Sequence, residues 1–305
     1  MVGKEVTRGK GPWPQKNDLR SVRAWLAERL GGAAGRETEN IARLLLDHVS
    51  GMPRMDRIAK DWRANESTLE RLAVFADRVR AGEPVQYVLG KTHFFGLDFL
   101  CDRRALIPRP ETEELLAETL KRVANRGSLR VLDIGTGTGI LPICWKARRP
   151  QDEVFGVDVE GQALALAADN AERNGVTVHW HQIDVLDESA LDELAEKPFD
   201  VILSNPPYIP RAEAAEMSET VREWEPDSAL FVADADPLVF YRRIVRGCAE
   251  QGWLAAEGWL AMECHRDGTE AVAALISAPW ADPCRVRDLQ GNWRMVMAQW
   301  PLVKA

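Results

Sequence analysis

The chain has 305 residues, of which 46% are apolar and 28% charged, and its formal net charge is −8. This length suits one large domain or two unequal ones, and this composition is typical of a folded globular protein, which excludes a disordered or fibrous chain. No stretch approaches the roughly 18 consecutive apolar residues of a membrane helix, and the first residues lack the apolar segment of a secretory signal. We therefore expect a cytoplasmic protein with no membrane partner.

The charge balance and the cysteines restrict the partners and cofactors. Lys and Arg total 39 against 47 for Asp and Glu, which disfavours nucleic acid as a partner because such binding depends mainly on neutralising phosphates. The basic tail, residues 1–16, is interpreted as a solvated segment. The five cysteines are odd in number and form no C-x-x-C pair, so we expect reduced thiols and no metal site. We also expect a monomer.

The first region, residues 1–81, is predicted to be a small helical domain for substrate docking. Its first helix follows a candidate N-cap, Asp18, and stops at Gly31-Gly32. The second helix has an apolar stripe formed by Ile41, Leu44, Leu45 and His48. A capping box from Ser67 to Glu70 opens the third helix.

The second region, residues 82–110, is predicted to be a β-hairpin or an extended connector. Residues of β type occur at Val85, Tyr87 and Val88 and again over 93–100. The segment 106–110 contains two prolines, which cannot continue a helix and which favour extended backbone before them. The junction between the domains is therefore expected here.

The third region, residues 111–305, alternates strand and helix patterns. Buried strands are predicted over 130–134, 154–159, 176–182, 199–204 and 259–263, with helices over 162–174 and 237–249 between them. This alternation predicts an α/β fold with a mostly parallel sheet covered on both faces. Two last strands, over 284–288 and 293–300, are expected to pair as a hairpin. We interpret the first of two Gly-Trp-Leu-Ala copies, at 252–255, as a local insertion.

A glycine-rich turn follows the first of these strands. It consists of Gly135, Thr136, Gly137, Thr138 and Gly139, and such a turn brings backbone N–H groups close to a ligand at a helix N-terminus. Its G-x-G-x-G spacing differs from the G-x-G-x-x-G of dinucleotide sites. Asp158 ends the next strand about twenty residues on, where a carboxylate can accept hydrogen bonds from ribose hydroxyls. The pair indicates an adenosine-type ligand, and the alternative for Asp158 is a helix cap or a surface acid.

The turn and the acid together resemble the class I S-adenosylmethionine-dependent methyltransferases. This resemblance implies a Rossmann-like sheet, mostly parallel and ending in an antiparallel hairpin. It also implies that residues 135–139 lie under the methionine part of S-adenosylmethionine and that Asp158 holds the ribose. Asp184 and Val185 would contact the adenine, and S-adenosylhomocysteine would be the product.

The tetrad Asn205-Pro206-Pro207-Tyr208 follows the fourth strand, at the edge where open α/β sheets bind ligands. The amide oxygen of Asn205 and the carbonyl of Pro206 can accept hydrogen bonds from an –NH2 group, while Tyr208 offers an aromatic wall. Holding both hydrogens would favour pyramidalisation of a conjugated nitrogen and direct its lone pair at a methyl donor. The alternative is a plain Asn-Pro turn.

Several ordered motifs resemble the HemK/PrmC family, which methylates the N5 of glutamine in the Gly-Gly-Gln motif of peptide chain release factors. They are GEPVQYVLG (82–90), FFGLDF (94–99), LIPRPETE (106–113), NPPYIP (205–210), EPDSAL (225–230) and RDLQGNWR (287–294). The resemblance implies that Asn205 and Tyr208 are catalytic, that Pro206 and Pro207 help to receive the glutamine amide, and that Asn205 also borders the cofactor. Residues 107–112 would cover the cofactor, and Arg109 would hold its carboxylate or serve as a linker arginine. A ribosomal-protein glutamine and an exocyclic amine of a nucleic-acid base remain the alternative substrates.

Overall fold

The computed structural model describes residues 10–31, 35–189 and 191–301. The predicted basic tail therefore lies partly, and the predicted stop residue Gly32 wholly, outside the described residues. The chain divides into two compact units, Met1–Gly90 with Glu219–Trp224, and Lys91–Ser218 with Glu225–Ala305. Within the described ranges, no helix is both long and apolar enough to cross a membrane.

The first unit is helical. Its helices are α1 (Leu19–Arg29), α2 (Arg36–Ser50), α3 (Arg54–Ala59), α4 (Glu66–Arg80) and α5 (Val85–Leu89). Asp18 caps α1 as predicted, because its carboxylate accepts a hydrogen bond from the Ser21 N–H at 3.0 Å. The apolar faces of α1, α2 and α4 pack on one another around the fully buried Leu26, Leu45 and Leu72.

Three local predictions in this unit are wrong. Asn65, not Ser67, caps α4, since its side-chain oxygen accepts the Thr68 N–H at 2.8 Å and starts the helix earlier. In α2 the buried face is rotated away from Leu44, which is 36% exposed, because the inward positions are Ala42, Leu45 and Leu46.

The β-type residues around Val88 form the short helix α5 rather than a strand. Pro84 precedes this helix at a position that proline tolerates. Val88 is 4% exposed and packs into the apolar core of the first unit. Tertiary burial therefore outweighs the β-propensity of these residues.

The second unit contains a sheet of seven strands in the order β10-β11-β9-β6-β3-β4-β5. The strands of the chain are β1 (Lys91–Phe94), β2 (Leu97–Leu100), β3 (Arg130–Ile134), β4 (Glu153–Asp158), β5 (His179–Gln182), β6 (Phe199–Ser204), β7 (Ile209–Pro210), β8 (Phe231–Val232), β9 (Leu254–Glu263), β10 (Cys284–Arg287) and β11 (Trp293–Gln299). Strands β5, β4, β3, β6 and β9 run parallel, and β11 and β10 complete the sheet as an antiparallel hairpin. The predicted fold class is confirmed.

Helices cover both faces of this sheet. The helices of the second unit are α6 (Pro110–Arg122), α7 (Ile140–Arg148), α8 (Gly161–Arg173), α9 (Asp192–Ala195), α11 (Asp227–Leu230), α12 (Val239–Glu250) and α13 (Thr269–Ala274), while α10 (Glu219–Trp224) belongs to the first unit. Alternate side chains of β6 enter different cores: Ile202 enters one, and Val201 and Leu203 enter the other. This alternation is what a sheet buried on both faces requires.

The second half of the first Gly-Trp-Leu-Ala copy, Leu254 and Ala255, lies in strand β9, so the interpretation of this copy as an insertion is wrong. Leu254 pairs with Phe199, and the register shifts before the strand continues beside Val201. Trp253 is fully buried, and a Cβ on Gly247 would lie 2.3 Å from its ring. The tryptophan therefore fills a space in the core that only a glycine on α12 leaves open.

Candidate active site

A cavity of about 1040 Å³, including space open to solvent, lies at the carboxyl edge of β3, β4, β5 and β6. Ten of the predicted site residues line it: Gly135, Thr136, Gly137, Thr138, Asp158, Asp184, Val185, Asn205, Pro206 and Pro207. Open α/β sheets bind ligands at this edge. Of the remaining predicted residues, Gly139 and Tyr208 are not among those that line the cavity.

The glycine turn requires glycine for two different reasons. Gly135, Gly137 and Gly139 have φ values of 75°, 53° and 78°, which L-residues rarely adopt. Gly139 is also the N-cap of α7, and a Cβ there would lie 2.9 Å from the Cβ of Ala167. Gly139 thus packs α7 against α8, whereas Gly135 and Gly137 face the cavity.

Asp158 connects the glycine turn to the end of β4. Its Oδ2 accepts the Gly137 N–H at 2.8 Å, and its Oδ1 accepts the Glu160 N–H at 2.9 Å. Burial raises the pKa of this carboxyl, and the two backbone N–H groups oppose that rise. Each oxygen retains a further lone pair, so the carboxylate can still accept ribose hydroxyls.

Asp133, at the end of β3, is a cavity residue that the motif contains but that received no role from the sequence. It is 1% exposed, and its Oδ1 has no hydrogen-bond partner among the described residues. Burial, reinforced by the nearby Asp158, raises its pKa to about 7. An unpartnered buried carboxyl oxygen suits a cationic ligand group, such as the α-ammonium of an amino acid.

The connector is fixed over the cavity by a buried acid that sequence reasoning missed. Glu225 accepts the Ile107 N–H at 3.0 Å and pairs with the Arg109 guanidinium at 2.6 Å. Arg109 and the adjoining Pro226 both line the cavity. The guanidinium is therefore engaged by the protein itself. The sequence placed Glu225 at the start of the EPDSAL motif without assigning it a role.

Asn205 is held by a chain of two hydrogen bonds. Its Nδ2 donates to Thr112 Oγ1 at 3.2 Å, and the Thr112 hydroxyl donates to Glu263 Oε2 at 2.7 Å. Glu263 is 2% exposed, and burial raises its pKa to about 7. The chain leaves Oδ1 of Asn205 as the amide atom that can accept a hydrogen bond from a ligand.

The rest of the tetrad is buried or half-buried. Pro206 is buried and Pro207 is half-buried, and both line the cavity. Tyr208 packs against the apolar core that contains Tyr241, with its ring 6.1 Å from that of His265. Burial raises the pKa of Tyr208 to about 12, so the phenol is neutral at physiological pH.

Two known domains match the chain. The PrmC N-terminal domain matches residues 21–90, and the Methyltransferase small domain matches residues 111–223. Among solved structures, the catalytic domain of hMettl16 in complex with a MAT2A 3'UTR hairpin has a TM-score of 0.51 at 15% identity, covering 77% of this chain and 83% of that one. At this identity the likeness shows a shared fold alone.

Curated relatives of known name cover nearly the whole chain. The release factor glutamine methyltransferase of Geobacter sulfurreducens is 36% identical over 93% of this chain and 96% of its own length. The protein of the same name from Flavobacterium psychrophilum is 34% identical over 86% of this chain and 91% of its own. The cavity, the glycine turn and the tetrad described above lie within this shared length. The chain therefore belongs to the release factor glutamine methyltransferase family.

Proposed function

We propose that this protein transfers a methyl group from S-adenosylmethionine to the side-chain N5 of the glutamine in the Gly-Gly-Gln motif of peptide chain release factors. The observation that carries the proposal is that Asn205 lines the same cavity as the glycine turn and Asp158. One cavity thus presents groups suited to a nucleoside and an amide acceptor suited to –NH2. The names of the relatives supply the protein substrate.

The residues of the cavity fit S-adenosylmethionine, the methyl donor that the methyltransferase family implies. Asp158 would hold the ribose hydroxyls, and the unpartnered Oδ1 of Asp133 would accept the α-ammonium group. Asp184 and the buried Val185 would border the adenine. When bound, the cofactor supplies an electrophilic methyl group on a sulfonium sulfur.

Asn205 and Pro206 would prepare the glutamine nitrogen. The Oδ1 of Asn205 and the carbonyl of Pro206 can accept the two amide hydrogens, which favours a pyramidal nitrogen with its lone pair aimed at the methyl group. Transfer to a nitrogen held in this way would form the new N–C bond as the S–C bond of the methyl donor breaks, and S-adenosylhomocysteine would be the product. The cationic amide is strongly acidic and releases one proton to water, so no strong base is required. The aromatic ring of Tyr208 would form one side of the site that receives the glutamine amide.

Protein glutamine is favoured over a nucleic-acid amine. The relatives named for release factors match over most of both chains. The net charge of −8 is unfavourable for a phosphate-rich substrate. The two glycines before the glutamine help its side chain to reach a narrow site, because glycine tolerates backbone angles that other residues avoid. We therefore favour the release-factor glutamine over both a base amine and a ribosomal-protein glutamine.

A parallel methylation assay tests the proposal. The full-length protein is incubated with labelled S-adenosylmethionine and, separately, an intact release factor, a ribosomal-protein fraction, DNA and RNA. The label is expected on the release factor alone, with mass spectrometry placing one methyl group on the Gly-Gly-Gln glutamine. Label on RNA or DNA with none on the release factor would refute the proposal.

The first unit is proposed to dock the release factor beyond the tripeptide. On α3 the side chains of Met55 and Ile58 are 72% and 53% exposed and lie three residues apart, on the same side of the helix. Exposed neighbouring apolar side chains are suited to partner contact. We further propose that the protein acts as a monomer in the cytoplasm, where translation factors work.

A further inference from the structure

The hydrogen-bond chain behind Asn205 has a direction, and that direction decides which end of the amide faces the cavity. We propose that Thr112 and Glu263 are positioning residues that lock Asn205 with its Oδ1 toward the methyl acceptor. The inference deepens the proposed function, on which it rests, because it assigns two further residues to the handling of the acceptor amide. Neither residue received this role from the sequence.

The direction follows from the number of protons that each group owns. A threonine hydroxyl has one proton, and the Thr112 proton is directed to Glu263 Oε2 at 2.7 Å. A hydrogen bond to an ionised carboxylate is stronger than one between neutral groups. While Glu263 is ionised, Thr112 Oγ1 can therefore only accept from Asn205, which turns Nδ2 toward it, at 3.2 Å. Oδ1 is left as the acceptor.

Without the Glu263 carboxylate, the hydrogen bonds from Asn205 through Thr112 to residue 263 are no longer fixed in one direction. An amide at position 263 can donate to Thr112 as well as accept from it. The hydroxyl proton of Thr112 would then be free to reach Oδ1 of Asn205, and the flipped amide would point an N–H at the substrate. In this orientation the N–H hydrogens of Asn205 would repel the N–H hydrogens of the glutamine amide instead of an oxygen accepting them. Thr112 and Glu263 thus act through Asn205, and neither needs to touch the substrate.

The surroundings of Glu263 are expected to make the direction of these hydrogen bonds depend on pH. Burial raises the pKa of Glu263 to about 7, the Thr112 hydrogen bond lowers it, and Glu111 raises it further. The other charged or titratable groups that face it are Arg294, Arg109, Tyr208, Tyr241 and Cys264. Protonation would give Glu263 its own O–H donor and remove the directional constraint.

The kinetic test compares variants in methyl transfer to an intact release factor. Thr112→Val keeps the volume but removes the hydroxyl, and we expect kcat to fall about tenfold to a hundredfold, since misorienting a reactant has effects of this size. The Kd for S-adenosylmethionine should change by less than about threefold, the effect of a fraction of one hydrogen bond. Thr112→Ser should restore most of kcat. The matched control is Thr119→Val in the same helix, whose buried hydroxyl donates to the Leu115 carbonyl and should leave kcat unchanged.

A double-mutant cycle separates positioning from packing. Glu263→Gln alone should lower kcat about twofold to tenfold, and adding it to Thr112→Val should produce no further loss, because both changes act on one amide. If the two losses multiply instead, Glu263 does not act through Thr112 and the inference is wrong. An unchanged kcat in Thr112→Val would also overturn it.

A second measurement uses no methyl acceptor. The side-chain amide signals of Asn205 in a nitrogen-proton NMR spectrum can be assigned by their loss in Asn205→Ala. In the cofactor-free protein they should shift with pH around the Glu263 pKa of about 7, and they should not do so in Thr112→Val or Glu263→Gln. The same titration in all three proteins refutes the inference. Failure of release-factor methylation with this titration intact refutes the proposed function alone.

Discussion

Asp133 provides a quantitative test of the cavity, because its carboxyl is buried without a full set of partners. Burial moves its pKa from 3.8 to about 7. At about 1.4 kcal/mol per pH unit, the ionised form costs the folded state about 4 kcal/mol relative to the unfolded chain. The Asp133→Asn variant keeps the shape of the side chain and removes this charge.

The sign of the pH dependence follows from proton binding. Between about pH 4 and about pH 7 the folded state holds the Asp133 proton more tightly than the unfolded state, so the unfolding free energy falls as pH rises. Asp133→Asn lacks this contribution. The variant should therefore gain up to about 4 kcal/mol relative to the wild type between about pH 4 and about pH 8.

Urea denaturation of both proteins at several pH values, without cofactor, measures this difference. The exposed Asp192→Asn is the control and should follow the wild type at every pH. The stability gain in Asp133→Asn should accompany weaker binding of S-adenosylmethionine, because the variant cannot pair with the ammonium group as an anion. A stability difference that stays constant with pH would refute the burial argument.

Three further predictions address the cofactor, the nucleophile and the docking surface. Asp158→Ala should weaken S-adenosylmethionine binding by about 1.5 to 3 kcal/mol in calorimetry, the range for hydrogen bonds to a charged group, and unchanged affinity would remove it from the site. Asn205→Ala should lower kcat by about a hundredfold with a much smaller change in cofactor Kd. Asn174→Ala, outside the cavity, is its control, and a parallel collapse of cofactor binding would contradict the assigned role. Replacing Met55 and Ile58 with serine should lower kcat/KM for an intact release factor and leave a short Gly-Gly-Gln peptide unaffected, whereas an equal loss on both would argue against docking on α3.

Patterns confined to a few neighbouring residues made much of this fold predictable. Strands β3 and β6 begin and end where their apolar runs predict, over Arg130–Ile134 and Phe199–Ser204. The glycine turn and the tetrad follow these two strands directly. Since β3 and β6 are parallel neighbours, their carboxyl ends meet at one edge. The sequence therefore predicted the place of the cavity from local periodicity and chain order.

Errors arose where distant packing decides local conformation. Val88 has a β-branched side chain and still lies in a helix, because the core of the first unit buries it. Strand β9 starts at Leu254 because that residue pairs with Phe199 of β6, far away along the chain. In both cases the deciding contact is made by residues that a local window cannot compare.

Two buried acids that hold residues of the site could not be identified from the sequence, because their role depends on the charged and polar partners that they meet in the fold. Glu225 and Glu263 are 5% and 2% exposed, yet the sequence assigned neither of them a role, although Glu263 ends a strand predicted to be buried. Each becomes functional only through a partner more than a hundred positions away, Arg109 for one and Thr112 for the other. A buried carboxylate is tolerated only when such partners satisfy it. The fold must bring the partners together before either acid can be distinguished from a solvated one. The contacts that hold Arg109 and Thr112 in place are therefore a property of the tertiary structure.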